Sequence, residues 1–190
     1  MLECKFYCVR PGWFVVFLVE IPKVPGRRIP NVLFFTIVAL AIAQCIHDFP
    51  LLPNRLASHF NASGMPNGWM TKTQFMWVYA LVLLAALAIE FWAPHQIANR
   101  PDSRLRLPNK EYWLAPERRA GTYAYFDTFF AWYGCVFLFV VVYAMGLALR
   151  ANFDTPARLP TGPIVTVIAG FALFNLAAII AMLRRFSMPR

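Results

Sequence analysis

Apolar positions in this chain gather into four long runs, separated by polar breaks that carry most of the prolines. The runs cover about Asn31 to His47, Gln74 to Ala93, Phe129 to Leu149 and Pro163 to Leu183. A helix that is apolar all round must be surrounded by apolar matter. Roughly 17–25 such residues let a helix cross a hydrocarbon core of about 30 Å. The pattern predicts an all-α membrane protein with four transmembrane helices, the first near the lower length limit. Pro116 is well placed as a first helical residue, and Glu117 suits the positive end of that helix. The helix is expected to continue through Arg118, Arg119 and Asp127 into the third span.

The break between the first two runs, residues 48–73, has a pattern of its own. Pro50 and Pro53 fix φ and forbid a continuous helix. From Leu56 to Asn61 apolar and polar residues roughly alternate, as in a short extended segment. Gly64, Met65-Pro66 and Asn67-Gly68 then supply turn chemistry. Trp69 follows, where an aromatic suits a membrane–water boundary. The stretch predicts a short ordered cap between the first two spans. The break at 94–122 reads as a polar link, and the one at 150–162 carries Pro156 and Pro160.

Residues 1–29 are basic and irregular, broken by Pro11, Pro22 and Pro25. Within them Trp13 to Val19 is apolar over only seven residues. That is too short to span and lacks a small-residue cleavage site, so an interfacial segment is expected. Arg27-Arg28 by itself supplies a basic flank for the first span. The chain thus divides into a basic N-terminal segment, 1–29, and a four-helix membrane domain, 30–190.

Composition agrees: 59% of residues are hydrophobic and 14% charged, against about half and a quarter in soluble domains. Eighteen Lys and Arg face nine Asp and Glu, a net charge of +9. Fourteen of the eighteen lie in 1–29, in the 94–122 link and in the tail after Leu183. The other four, Arg55, Lys72, Arg150 and Arg158, lie in the cap and in the 150–162 link. The two sets alternate across four spans, so the excess of cytoplasmic Lys and Arg puts both termini inside and the cap outside. This distribution accounts for the basic charge without nucleic acid. The four cysteines, at 4, 8, 45 and 135, show no CxxC spacing and imply no disulfide framework.

Chemistry-bearing residues are sparse. Gln44, His47 and Asp48 share a helical face at the end of the first span, and His59 and Asn61 come from the cap. A metal, if any, would use His47, Asp48 and His59, since imidazole and carboxylate both ligate Zn²⁺. No HExxH spacing supports that. The simpler account lets His47 and Asp48 close the span while His59 and Asn61 hydrogen-bond the turn. No nucleophile elbow, phosphate-cradling loop or catalytic carboxylate pair occurs. No catalytic residue and no cofactor are therefore expected, and the balance tilts away from an enzyme. Aromatics from Tyr123 to Tyr143 crowd the third span, where lipid contact and packing account for them without a pigment or quinone. Glu90 and Asp127 lie near span ends, with Arg118 and Arg119 as expected partners. Tyr112, Trp113, Glu117, Arg118 and Arg119 also form a candidate cytoplasmic docking surface for a soluble protein. Trp113 would be its aromatic anchor and the arginines its charge-assisted donors.

The string Pro50-Leu51-Leu52-Pro53, His59-Phe60-Asn61, Gly64, Pro66-Asn67-Gly68-Trp69 and Thr71-Lys72 resembles a family signature. It is similar to the bacterial membrane domain found in the immunity protein against the sporulation-delaying toxin and in many small relatives. A second string, Pro108 to Arg119, recurs in relatives of this kind. The resemblance covers about the first half of the chain and implies a multi-pass protein of the bacterial inner membrane. The immunity protein carries further membrane helices after this unit. The resulting expectation is a non-enzymatic binding, immunity or signal-relay protein in contact with membrane lipids. Its cap would recognise an extracytoplasmic peptide or other ligand through Pro50, Pro53, His59, Phe60, Asn61, Gly64, Pro66, Trp69 and Lys72. The alternatives are a metal-dependent membrane enzyme or transporter accessory, and a structural subunit held in a larger complex through the third span.

Overall fold

A computed structural model describes residues 26–99, 101 and 104–187. Most of the N-terminal segment, including Trp13–Val19 with Cys4 and Cys8, lies outside the described residues. Helix α1 (Arg28–Asp48) ends in one 3₁₀ turn, Phe49–Leu51, and leads into strands β1 (Arg55–Phe60) and β2 (Pro66–Thr71). Helix α2 (Lys72–Leu87) passes through a π turn, Ala88–Trp92, into α3 (Ala93–Ala98). The short α4 (Lys110–Trp113) precedes the long α5 (Pro116–Ala151), and α6 (Thr161–Ser187) follows.

Among the described residues, four stretches are long and apolar enough to cross a membrane: Arg28–Leu51, Lys72–Ile97, Pro116–Ala151 and Thr161–Ser187. Each outruns its apolar run, because a helix keeps bonding its own backbone into the polar flanks. The start of α2 shows what stops it. Thr71 Oγ1 accepts from the Gln74 amide while Gln74 Oε1 accepts from the Thr71 amide, a reciprocal cap. Helix α5 starts at Pro116 as expected and runs 36 residues, roughly 54 Å at 1.5 Å per residue.

Helices α1 and α2 both pack on α5, and α6 leans on α5 as well. Three clusters mark where they close. Under the hairpin, Leu52 and Leu56 meet Ala41, Phe75, Tyr79 and Leu149. At mid-bundle, Phe34, Ala86, Cys135 and Leu138 meet. At the far end Trp113, Phe126 and Phe186 join α4, α5 and α6. Large residues such as Leu40, Trp77, Leu81 and Leu173 face outward, which costs nothing where the surroundings are lipid. The cap proves to be a two-stranded antiparallel hairpin rather than one extended segment followed by turns.

Candidate functional site

Among the described residues, polar side chains gather most densely at the hairpin at one end and in an ion cluster at the other. In the hairpin, Leu56 pairs with Met70 and Ala57 with Trp69, and the register slips on both sides of His59. Leu56 is buried in the core beneath, so one face of the hairpin is seated on the bundle. An isolated two-stranded hairpin is marginal in water. This one is held in addition by Asn152, at the end of α5. Its side-chain amide accepts from Ala57 N at 2.7 Å and donates to Ala57 O at 3.0 Å. Asn152 thereby satisfies backbone groups that a third strand would otherwise take.

The turn is tied down separately. Asn61 Oδ1 accepts from the amides of Ser63 and Met65 and from Ser63 Oγ. Gly64 sits at φ +78°, a conformation that disfavours a Cβ. Its carbonyl accepts from Leu159 N at 3.0 Å, which fastens the turn to the link after α5. A Cβ on Gly64 would lie 2.3 Å from Leu159 O.

The cap residues singled out from sequence divide accordingly. Asn61 and Gly64 build the turn, Pro66 opens β2, and Pro50 and Pro53 lie in the exposed approach to β1. Phe60 is half-buried. Lys72 Nζ lies 4.9 Å above the Phe49 ring. Trp69 is 49% exposed. His59 is exposed and does not bond the turn; the slipped register brings its Nδ1 within 3.2 Å of Ser58 Oγ instead. His47 Nδ1 lies 2.9 Å from Asp48 Oδ1. His59 does not join that pair, and among the described residues no three His, Cys, Asp or Glu side chains form a metal-holding group.

At the opposite end, Arg27 is 4% exposed and gathers three elements. Its Nη2 donates to Glu90 Oε1 at 2.7 Å and to Glu90 O at 2.9 Å. Its Nη1 donates to Asp127 Oδ1, and its Nε donates to Asn31 Oδ1 at 3.3 Å. The guanidinium also lies over the Phe91 ring. Glu90 is fully buried at the centre of the π turn, a widened turn that often marks functional positions. Room for it comes from Gly134 on α5. Beside it Cys135 Sγ donates to Pro30 O at 3.0 Å. One guanidinium thus faces two carboxylates, and among the described residues Glu90 Oε2 and Asp127 Oδ2 have no hydrogen-bond partner. Ionisable groups at membrane depth are costly and usually serve a function.

The partners expected for these carboxylates are therefore corrected. Arg118 lies 4.0 Å over the Tyr112 ring and Arg119 over Tyr123. Arg27, counted from sequence only as a topological flank, takes their place, because the start of α1 packs between α5 and the π turn. Trp113 is likewise not an exposed anchor. It is 5% exposed, donates Nε1 to Phe186 O at 3.0 Å and lies under Arg185. Asn109, at φ 51°, donates to the carbonyls of Phe186 and Ser187. Residues 109–113 clasp the end of α6, while Glu117, Arg118 and Arg119 remain exposed and Tyr112 half-buried.

A family model described as a domain of unknown function (DUF1648) matches residues 34–93. The matched stretch takes in most of α1, the whole hairpin, α2 and the π turn with Glu90. Nothing in that match ties the chain to the toxin-immunity family that its cap string resembles. No curated protein and no solved structure matches the chain.

Proposed function

We propose that this chain is a non-enzymatic, multi-pass binding and relay protein whose hairpin recognises an extracytoplasmic peptide. In this reading it resides in the bacterial inner membrane with both termini cytoplasmic, an orientation supported by fourteen of eighteen Lys and Arg on one set of segments. The carrying observation is the connection made by α5. Asn152 grips the hairpin at one end of this helix, and Asp127 grips Arg27 near the other. The two lie twenty-five residues apart, roughly 38 Å along one helix with no proline after its first residue. A load on the hairpin is thereby delivered to the ion cluster without passing through a loop. Immunity against a peptide toxin is one form this function could take, and it rests on the cap string alone.

The test is a photo-crosslinking amino acid at position 69 in intact cells. The expected result is a discrete peptide or protein adduct that disappears when Asn152→Leu unhooks the hairpin. Adducts to lipid alone would make Trp69 an interfacial anchor and remove the receptor reading.

A further inference from the structure

A half-open groove of about 320 Å³ runs between α1 and α5. Both helices run toward the hairpin, so higher residue numbers lie nearer that end. The deep part of the groove is walled by Ile37, Leu40 and Phe139. Toward the hairpin Gln44, Tyr143 and Arg150 join the lining, beside Val142 and Leu147. Gly146 lets the Gln44 side chain lie close against α5 there; a Cβ on it would lie 3.3 Å from Gln44 Nε2. From Phe139 to Arg150 the groove follows roughly 16 Å of helix, about half of a hydrocarbon core.

Ordinary lipid contact explains the apolar part but not the polar part. Among the described residues, nothing hydrogen-bonds the Gln44 amide, the Tyr143 hydroxyl or the Arg150 guanidinium. Polar groups at the margin of a membrane need partners, since leaving them bare in an apolar medium is costly. All three can donate, and the outermost is a cation. A ligand that fits must offer acceptors and negative charge at the hairpin end and a hydrocarbon chain below. We propose that the groove is a seat for one anionic phospholipid. Its phosphate accepts from Arg150, its ester carbonyl accepts from Gln44 or Tyr143, and one acyl chain lies along Ile37, Leu40 and Phe139. The seat is independent of the peptide reading of the hairpin, although both meet at the end of α5, where Arg150 stands two residues before Asn152.

The experiment uses the full chain in mild detergent, stripped of lipid and titrated with phosphatidylglycerol or phosphatidylcholine, with bound lipid counted by native mass spectrometry. Phosphatidylglycerol should bind at least about tenfold tighter than phosphatidylcholine, because both offer a phosphate to Arg150 but the choline ammonium sets a second cation beside that arginine. Arg150→Gln, an exposed change that leaves the fold intact, should erase that preference. Arg158→Gln, another exposed arginine at the same end, should keep it. Gly146→Leu, which fills the groove, should abolish retention of both lipids. Equal binding of the two lipids by the wild type would overturn the proposal, as would an undiminished preference in Arg150→Gln. A second copy of the chain seated in the groove and excluding lipid would overturn it too.

Discussion

Glu90 is packed so closely on Gly134 that a Cβ there would lie 2.1 Å from Glu90 Oε2. The carboxylate cannot retreat, because Oε1 is held by Arg27 and the side chain is wholly enclosed. Gly134→Ala should therefore cost about 1–3 kcal/mol, the usual range for overpacking. Gly170→Ala, with nothing within 4 Å, should be neutral or slightly stabilising. Thermal unfolding in detergent compares the two, and equal midpoints would mean that the Glu90 seat adjusts freely.

Arg27 is the sole cation that the two carboxylates contact among the described residues. Removing one partner of a buried ionic group is more damaging than never having had it, about 3–5 kcal/mol. Arg27→Ala should fall in that range. In a Glu90→Gln background the same change should cost less, because one fewer negative charge is stranded. Arg27→Lys should be intermediate, since a point charge cannot fork to both carboxylates. The readout is the coupling energy of the double-mutant cycle; a value near zero would show that the contacts in this cluster are energetically independent.

Asn152→Leu removes both bonds to Ala57, and Asn152→Asp keeps an acceptor for Ala57 N but cannot donate to Ala57 O. Both should release the hairpin, as should Gly64→Val, which drives side-chain atoms into Leu159 O. Membrane insertion should not change, since each span bonds its own backbone. Limited proteolysis of the 54–71 region in spheroplasts should run faster in all three variants than in the wild type. A wild-type hairpin cut as fast as the variants would be a linker and not a cap.

How far each feature was legible depends on whether its cause is local. The four spans were, because an apolar run reports its own surroundings, and Pro116 marked the start of α5 on its own chemistry. The first strand showed in the alternation around Leu56. The second did not, because Pro66 and Gly68 lower strand propensity and its pairing is set by the turn at Asn61 and Gly64. Arg27 was legible as a charge and illegible as a partner, since nothing near it points to residues 90 and 127. Trp113 looked like an anchor because burial against Phe186, 73 residues away, leaves no local trace. Glu90 was visible as a lone carboxylate near a span end, but the π turn that aims it inward was not.

Orientation gives the last prediction. Arg55, Lys72, Arg150 and Arg158 are the four basic residues in the breaks at the hairpin end, and the other fourteen fall on the opposite set of segments. Such an imbalance directs insertion so that the richer side stays in the cytoplasm. Single cysteines at Ser63, in the hairpin turn, and at Glu117, in the first turn of α5, are both exposed in the fold and probe opposite ends of the bundle. With the four native cysteines replaced, an impermeant thiol reagent applied to intact cells should modify position 63 and spare position 117. After permeabilisation both should react. Labelling of position 117 alone in intact cells would invert the protein, placing the hairpin in the cytoplasm and with it any ligand it binds. Labelling of both positions before permeabilisation would break the four-span topology itself.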